Sequence, residues 1–514
     1  MELPGRPQSY WIASTPQTDY PPQPGDSQVD VAILGGGIAG ITAGFLLKQA
    51  GLRVAVIEAH RIVTGVTGHT TGKLTSQHGT LYRSLVSKVG PERARLYGQA
   101  NQAAIERVAS LVAERGIECD FRRISSCTFA ERPEDAEAVQ EEAEVCQSLG
   151  LPASFTQGSS LPYPTYGSVC FHDQVLFHPR RFLLALAEAI PGEGSFISEN
   201  TRALDVEEGV RPVVRTDRGR VFAEHCIVAT HFPFLDRGLY FARQTSMRSY
   251  VLGTRLAGEV PQEFYISVKP GFHSIRPHPT PDGWLVMMGG GQHVTGQGGD
   301  TTVCYRDLEE YARSHFDLAS VEYRWSAQDN YTLDGLPYVG RYSPVSTNLY
   351  VATGFGGWGM SNGIASAMML TDRILGRDNE WLPAFDPARV AQLKGLESMV
   401  QGGAWFVQHY AVERLRRGEP ATPEELAPGQ GAVVEIAGDK VALYRDEQGA
   451  LHALSPSCGH LGCIVSWNPA ERTWDCPCHG SRYRADGVFI QGPTVKDLKP
   501  LRLTTGTDTG PGEG

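Results

Sequence analysis

Apolar residues dominate VDVAILGGG from Val29, interrupted only by Asp30, recur at helical spacing through IAGITAGFLLKQAG, and dominate again in the VAVI of LRVAVIEA. Continuous apolar runs bounded by glycine predict strands buried on both faces, so these three segments predict a βαβ unit whose helix stops at Gly51. Residues 91–150 keep helical spacing with many Glu, Ala and Arg, whereas 211–290 alternates in short runs such as VVRTD, VFAEHCIVAT and GWLVMMGG, which predicts strands. A further strand is predicted at NLYVATG (348–354), before a Gly-rich turn and a helix over GIASAMMLTDRILG. Residues 386–428 turn helical and then charged and Pro-rich, the pattern of a linker. Beyond it, AVVEIA, KVALYRD and VFIQG predict a small all-β unit over 429–506, too small to be stable without a staple. Residues 1–28, rich in Pro, Gln and Ser, predict a tail that wraps over the surface or stays partly mobile, and 507–514 predict a second tail.

Length and composition refine this picture only a little. At 514 residues the chain predicts about three packed units, and 41% apolar with 20% charged residues is the balance of a globular enzyme. A net charge of -11 without long single-sign runs gives no electrostatic reason to approach nucleic acid or an anionic membrane. No stretch approaches the roughly 20 consecutive apolar residues of a membrane span, and the first residues lack the basic start and apolar core of a secretory signal. A soluble, cytoplasmic protein is the expectation. Of ten cysteines, Cys119, Cys127, Cys146, Cys170, Cys226 and Cys304 are scattered and are expected to be buried thiols, while four crowd into 458–478.

That crowded segment carries the first chemistry. SCGHLGC and CPCHGSRY together give Cys458-x-His460, a gap of fifteen residues, then Cys476-x-x-His479. Two thiolates and two imidazoles are offered, which suit a mixed-ligand 2Fe-2S cluster with a potential of roughly -150 to +300 mV or a tetrahedral zinc ion. The set resembles the Rieske domains of respiratory and photosynthetic cytochrome complexes, over some eighty residues. The resemblance implies that Cys458 and Cys476 bind one iron and His460 and His479 the other. It also implies a disulfide between Cys463 and Cys478, and hydrogen bonds to cluster sulfur from Ser481 and Tyr483 that raise the potential.

The second chemistry lies in the βαβ unit. Gly35-x-Gly37-x-x-Gly40, with Ile38 and Ala39 between, stands at a strand-to-helix turn, where bare amides and a helix N-terminus receive a pyrophosphate. Glu58 ends the second strand and is placed to take the ribose hydroxyls of an adenosine. FAD and NAD both satisfy this pattern. Downstream, GVTGHTTGKLTSQHG (65–79), IVATHFPF (227–234) and DGLPYVGRYSPVSTNLYVATGFGGWGMSNG (334–363) resemble the D-amino-acid oxidase and glycine oxidase family, most of all the gamma-glutamylputrescine oxidoreductase-like branch, some of whose members end in a Rieske domain. The resemblance implies FAD. It places Thr67, His69, Thr70 and Thr71 along the pyrophosphate and flavin, Thr230 beside them, and Gly354, Gly356, Gly357, Trp358, Gly359 and Met360 at the pyrimidine edge of the ring. His69 also stands where relatives in the superfamily carry a His bonded covalently to FAD, but it is expected to be an active-site-wall residue or a helix-terminal contact, and His78 and His231 are expected to be wall residues.

The resemblance implies a fold class as well: an α/β FAD-binding domain of Rossmann-like, glutathione-reductase type, an α+β substrate domain, and a small all-β Rieske domain. The oxidoreductase is expected over 29–385, its FAD-binding parts at about 29–90, 165–245 and 330–385 and its substrate parts at about 91–164 and 246–329. The substrate is expected between the flavin and a sheet, with Tyr250, Arg276, His278 and Trp325 as candidate contacts, Tyr331 behind them, and Arg276 as a possible carboxylate clamp. One functional expectation is an amine or amino-acid dehydrogenase that passes electrons from reduced FAD to the cluster and on to an external protein or quinone. The other is a reductase or flavin oxygenase fed in the opposite direction. A Rieske oxygenase with mononuclear iron on His273 and His278 is discounted, because such enzymes carry no FAD fold and place the cluster domain first.

Overall fold

The computed structural model describes residues 3–268, 272–392 and 423–502. The chain divides into one unit of 1–293 with 302–400 and a second of 294–301 with 401–514. The linker expected at 386–428 falls mostly on 393–422, outside the described residues, as does the tail 507–514.

In the first unit, Ser27–Leu34 lies between Arg220–Val228 and Val54–Ile57, with Leu349–Thr353 and Phe196–Ser198 outside them, all parallel. Tyr338–Arg341 closes one edge antiparallel, and Val213–Thr216 with Ala203–Glu207 attach to Arg220–Val228. Val31, Ala32, Ile33 and Leu34 are wholly buried, as expected of a parallel strand covered on both faces. The helix Ile38–Gln49 follows at once, and Gly363 of the helix Gly359–Ile374 lets the two approach so closely that a Cβ there would lie 2.7 Å from Ile38 Cγ2.

A second sheet runs in the order Arg6–Pro7, Leu318–Thr332, Gln244–Leu256, Gly283–Val294, Ser274–Thr280, Phe264–Ser267, Arg122–Phe129, Ser168–Leu176, Ala153–Thr156. Its longest ladder is antiparallel, from Gln244 opposite Thr332 to Leu256 opposite Leu318. Helices Pro91–Arg115 and Ala136–Ser148 fill the predicted helical stretch, with the strand Arg122–Phe129 between them.

Three expectations need correction here. The N-terminal segment is no loose tail: Arg6–Pro7 adds a parallel strand to the sheet, and Trp11 is 0% exposed, its indole N–H donating to Thr70 O at 2.7 Å. Burying an indole outweighs the weak local order of a Pro-rich stretch. Cys127 and Cys170 are not thiols but a disulfide between directly opposed positions of adjacent strands, a proximity that no sequence spacing announces. Cys304 is only half-buried, while Cys119, Cys146 and Cys226 are buried and free. Finally, Ser168–Leu176, expected with the nucleotide-binding part, belongs to the second sheet.

The second unit holds two small antiparallel sheets, Gly431–Ile436, Asp439–Arg445, Leu451–Leu454 and Ser466–Asn468, Thr473–Asp475, Arg482–Arg484, Phe489–Gln491. Trp474, Tyr483, Leu454 and the cysteines of both ligand loops form its core.

Candidate functional site

The glycine turn is built by close backbone approach. A Cβ at Gly40 would lie 1.9 Å from Gly35 O, so only glycine lets the helix start this near the strand end. Thr67 reaches in from 65–79 and accepts the Ile38 N–H at its Oγ1 (3.1 Å), capping a helix whose own N-cap, Gly37, offers no side chain. Glu58 accepts from Gly36 N–H (2.8 Å) at one carboxylate oxygen and from His60 N–H (2.9 Å) at the other. Each oxygen keeps a lone pair for a ribose hydroxyl.

The second glycine turn follows the strand Leu349–Thr353. Gly354, Gly356 and Gly357 all have positive φ, and a Cβ on Gly354 would meet Thr332 Cγ2 at 2.4 Å. Trp358 caps the helix Gly359–Ile374, and Met360 is buried in its first turn. His78 stacks on Trp358. Its Nε2 lies 2.8 Å from Thr75 O and its Nδ1 2.6 Å from the Tyr97 hydroxyl. A carbonyl only accepts, so Nε2 carries the proton and Nδ1 accepts from Tyr97. Burial pushes the His78 pKa down to about 3, which keeps it neutral. Burial also lowers His231 to about 4; its carbonyl accepts from Asn330 Nδ2 (3.0 Å) and Thr353 Oγ1 (2.6 Å). Thr230 Oγ1 donates to Phe232 O at 2.9 Å.

His69 ends a short 3-10 helix, with Nδ1 2.9 Å from Gly65 O and its carbonyl accepting the Trp325 indole N–H at 2.8 Å. Thr70 accepts the Gly72 N–H at its Oγ1 (3.0 Å), and the Thr71 methyl lies where a Cβ on Gly289 would be 3.8 Å away.

The sheet candidates separate. Tyr331 lies at the second glycine turn, its hydroxyl accepting from Gln292 Nε2 at 2.8 Å and lying 3.1 Å from where a Gly357 Cβ would be. Tyr250 turns to the helix Thr302–His315, edge-on to Tyr305 and 3.1 Å from His293 Nε2. Arg276 and His278 surround Trp11 instead of the glycine turns: Arg276 lies 4.7 Å above the indole and donates to Phe177 O at 2.7 Å, and the His278 ring is 4.8 Å from it. Burial lowers Arg276 to about 9 and His278 to about 4. His273 stacks on Tyr311 beside Glu131, so the His-x4-His pair is divided. Lys73, which the sequence did not single out, is buried and donates to Tyr265 O (2.6 Å) and Ser274 Oγ (2.7 Å).

In the second unit both ligand loops close by the same hydrogen-bond pair. Gly462 N–H donates to Cys458 O and Gly480 N–H to Cys476 O, each at 3.0 Å, while Cys458 N–H meets Cys463 O at 2.8 Å and Cys476 N–H meets Ser481 O at 2.7 Å. Cys463 and Cys478 form a disulfide. The sulfurs of Cys463, Cys476 and Cys478 lie within 4.8 Å of one another, but the disulfide removes two of them as thiolate donors. The remaining donor set is Cys458, Cys476, His460 and His479, the two imidazole Nδ1 atoms 3.3 Å apart. Tyr483 donates to Cys458 Sγ at 3.2 Å, and hydrogen bonding from Cys476, then Ser481 and Tyr483, lowers the Cys458 thiol. Ser481 Oγ is fully buried without a hydrogen bond of good geometry. Two thiols, two converging imidazoles and a spare buried hydroxyl fit an iron–sulfur cluster, as the glycine turns and Glu58 fit a dinucleotide.

Residues 30–373 match the family described as FAD dependent oxidoreductase, and 419–502 match the Rieske [2Fe-2S] domain. The chain belongs to the FAD dependent oxidoreductase family. This oxidoreductase binds FAD and, in its C-terminal domain, a 2Fe-2S cluster. It is 36% identical over 499 residues to YhfW of Bacillus subtilis (strain 168), named as a Rieske 2Fe-2S iron-sulfur protein, covering 97% of this chain and 98% of that one. It is 24% identical over 374 residues to gamma-glutamylputrescine oxidoreductase of Escherichia coli (strain K12), covering 69% and 85% of the two chains. It shares its fold with glycine oxidase from Geobacillus kaustophilus, at a TM-score of 0.58 and 20% identity over 70% of this chain and 98% of that one. Among its described residues no helix is long and apolar enough to cross a membrane.

Proposed function

We propose that this oxidoreductase dehydrogenates a carbon next to an amine nitrogen and passes the electrons through its own Rieske domain to an external acceptor, a protein or a quinone. When bound, FAD accepts two electrons with a hydride and the 2Fe-2S cluster carries one at a time. The observation that carries the reading is the joining of both folds in one chain, an arrangement that extends along 98% of YhfW. Likeness to gamma-glutamylputrescine oxidoreductase and to the fold of glycine oxidase supports an amine or amino-acid-like substrate.

The residues present support that chemistry in stated ways. Thr67 and the turn at Gly35, Gly37 and Gly40 leave amides for a pyrophosphate, and Glu58 leaves lone pairs for a ribose. The second glycine turn leads into the N-terminus of the helix Gly359–Ile374, which, at the pyrimidine edge where the family resemblance puts it, would favour negative charge on the flavin. His78 and His231, kept neutral at physiological pH by burial and made weak bases by their low pKa, are read as wall residues rather than catalytic bases. Tyr483 donates to Cys458 Sγ, and the buried Ser481 hydroxyl would be left to donate to a cluster sulfur; both would make the reduced state easier to reach.

Anaerobic mixing with candidate amines tests the reading. Bleaching of the flavin absorbance followed by the electron spin resonance signal of the reduced cluster is the expected result. Bleaching only on addition of an external reductant would reverse the direction of electron flow.

A further inference from the structure

The long strand Leu318–Thr332 alternates its side chains, so Trp325, Ala327, Asp329 and Tyr331 share one face. Trp325 is tied to His69 O and Tyr331 lies against Gly357, so this is the face beside both cofactor segments. Asp329 stands between these two aromatic residues. Its carboxylate receives the Gly357 N–H, and burial lifts its pKa to about 6. Asp329 and Tyr331 are both only partly buried.

The charges around it are one-sided. Arg248, opposite Gln328 in the ladder, lies on the other face, donates to Ser326, and is the smallest of the three influences on Asp329. Arg276 is engaged by Phe177 O and Trp11, and Lys73 by Tyr265 O and Ser274. On this face, beside the second glycine turn, the Asp329 carboxylate stands close to Tyr331, whose hydroxyl accepts from Gln292. Among the described residues no ion pair involves Asp329; a partly buried carboxylate of this kind is costly until a cation arrives, and the Tyr331 ring adds attraction for an ammonium.

We propose that Asp329 is the specificity-determining residue of the substrate site, pairing with an alkylammonium group, so that the substrate class is cationic amines rather than amino acids anchored by their carboxylate. This rests on the amine-oxidising reading given above and narrows it. The strand's period of two, which joins Asp329 to Trp325 and Tyr331, makes the residue visible once either aromatic is chosen.

The test is calorimetric titration of the FAD-loaded, full-length protein with tert-butylammonium, which has no hydrogen on its α carbon and cannot be dehydrogenated, and with acetate. Wild type is expected to bind the ammonium more tightly than acetate, Asp329→Asn to bind it about 10-fold or more weakly, and Asp329→Glu to stay within a few-fold of wild type. Flavin absorbance and melting temperature confirm that each variant is folded and loaded. Equal ammonium affinity in wild type and Asp329→Asn, no ammonium binding in wild type, or tighter acetate binding overturns the proposal. If amines bleach the flavin equally in wild type and Asp329→Asn, the amine reading stands and the role of Asp329 fails. If ammonium binding depends on Asp329 but no amine bleaches the flavin, the specificity stands and the reaction fails.

Discussion

The imidazole of His78 lies flat against the indole of Trp358, ring centroids 4.5 Å apart and planes inclined by 17°. The contact locks the segment after the first glycine turn onto the helix that follows the second. The proton on Nε2, fixed by Thr75 O, leaves Nδ1 to the Tyr97 hydroxyl, which itself accepts from Asn362.

A buried neutral histidine makes stability depend on pH in one direction. The unfolded chain takes up a proton near pH 6.5 and the native His78 only near 3, so stability is full above about 6.5 and falls as pH drops through that window. At pH 5 the loss attributable to this residue is about 2 kcal/mol. His78→Gln, compared with wild type by urea unfolding at pH 7 and pH 5, should shrink the difference between the two conditions by about that amount.

Gly40→Ala sets a Cβ 1.9 Å from Gly35 O, which the turn relieves only by opening. The expected outcome is a folded protein with FAD content reduced roughly tenfold, read from the ratio of flavin to protein absorbance, while the iron content stays at the wild-type level.

Arg389 and Asp334 form a buried two-point ion pair, Nε–Oδ2 at 2.8 Å and Nη2–Oδ1 at 3.0 Å, and Arg389 also donates to the carbonyls of Leu336, Pro337 and Phe385. Arg389→Met leaves the Asp334 carboxylate buried alone and should cost about 3–5 kcal/mol. Adding Asp334→Asn should recover part of that loss, so the double variant unfolds at higher urea than the sum of the single changes predicts.

Trp11→Ala removes a fully buried indole, its hydrogen bond to Thr70 O and the surface on which Arg276 rests. A loss of about 3–5 kcal/mol is expected. Because Thr70 belongs to the segment assigned to the flavin, faster FAD release on dilution should accompany the lower melting temperature.

The elements that were legible in advance are those whose chemistry is local. The strand Ser27–Leu34, the helix Ile38–Gln49 and the strand Val54–Ile57 appear where the apolar pattern places them, because a parallel strand and its crossover helix carry their periodicity in consecutive residues. The fold class and the choice of FAD over NAD come from the resemblance of 65–79, 227–234 and 334–363 to a known family, and both hold, as does the 2Fe-2S cluster. Trp325 and Tyr331 are candidates because the family resemblance sets the substrate against a sheet, whereas Asp329, on the same face of the same strand, carries no signal of its own in the sequence. Ser168–Leu176 was misplaced because its pairing with Arg122–Phe129 is set by hydrogen bonds across the whole of the intervening chain 130–167, on the scale of the 43-residue separation of Cys127 and Cys170.

By itself the sequence determined where the backbone must turn tightly and which donor atoms stand close along the chain, since Gly40 must be glycine and Cys458, His460, Cys476 and His479 share two short loops. Tertiary structure alone decided the neighbours of side chains far apart in the chain: Trp11 under Arg276, Tyr250 against Tyr305, and Asp329 beside Gly357. The reason is that strand order and sheet face are fixed by long-range hydrogen bonds and by which surface finds a partner to bury against, and neither is written in the residues of any one strand.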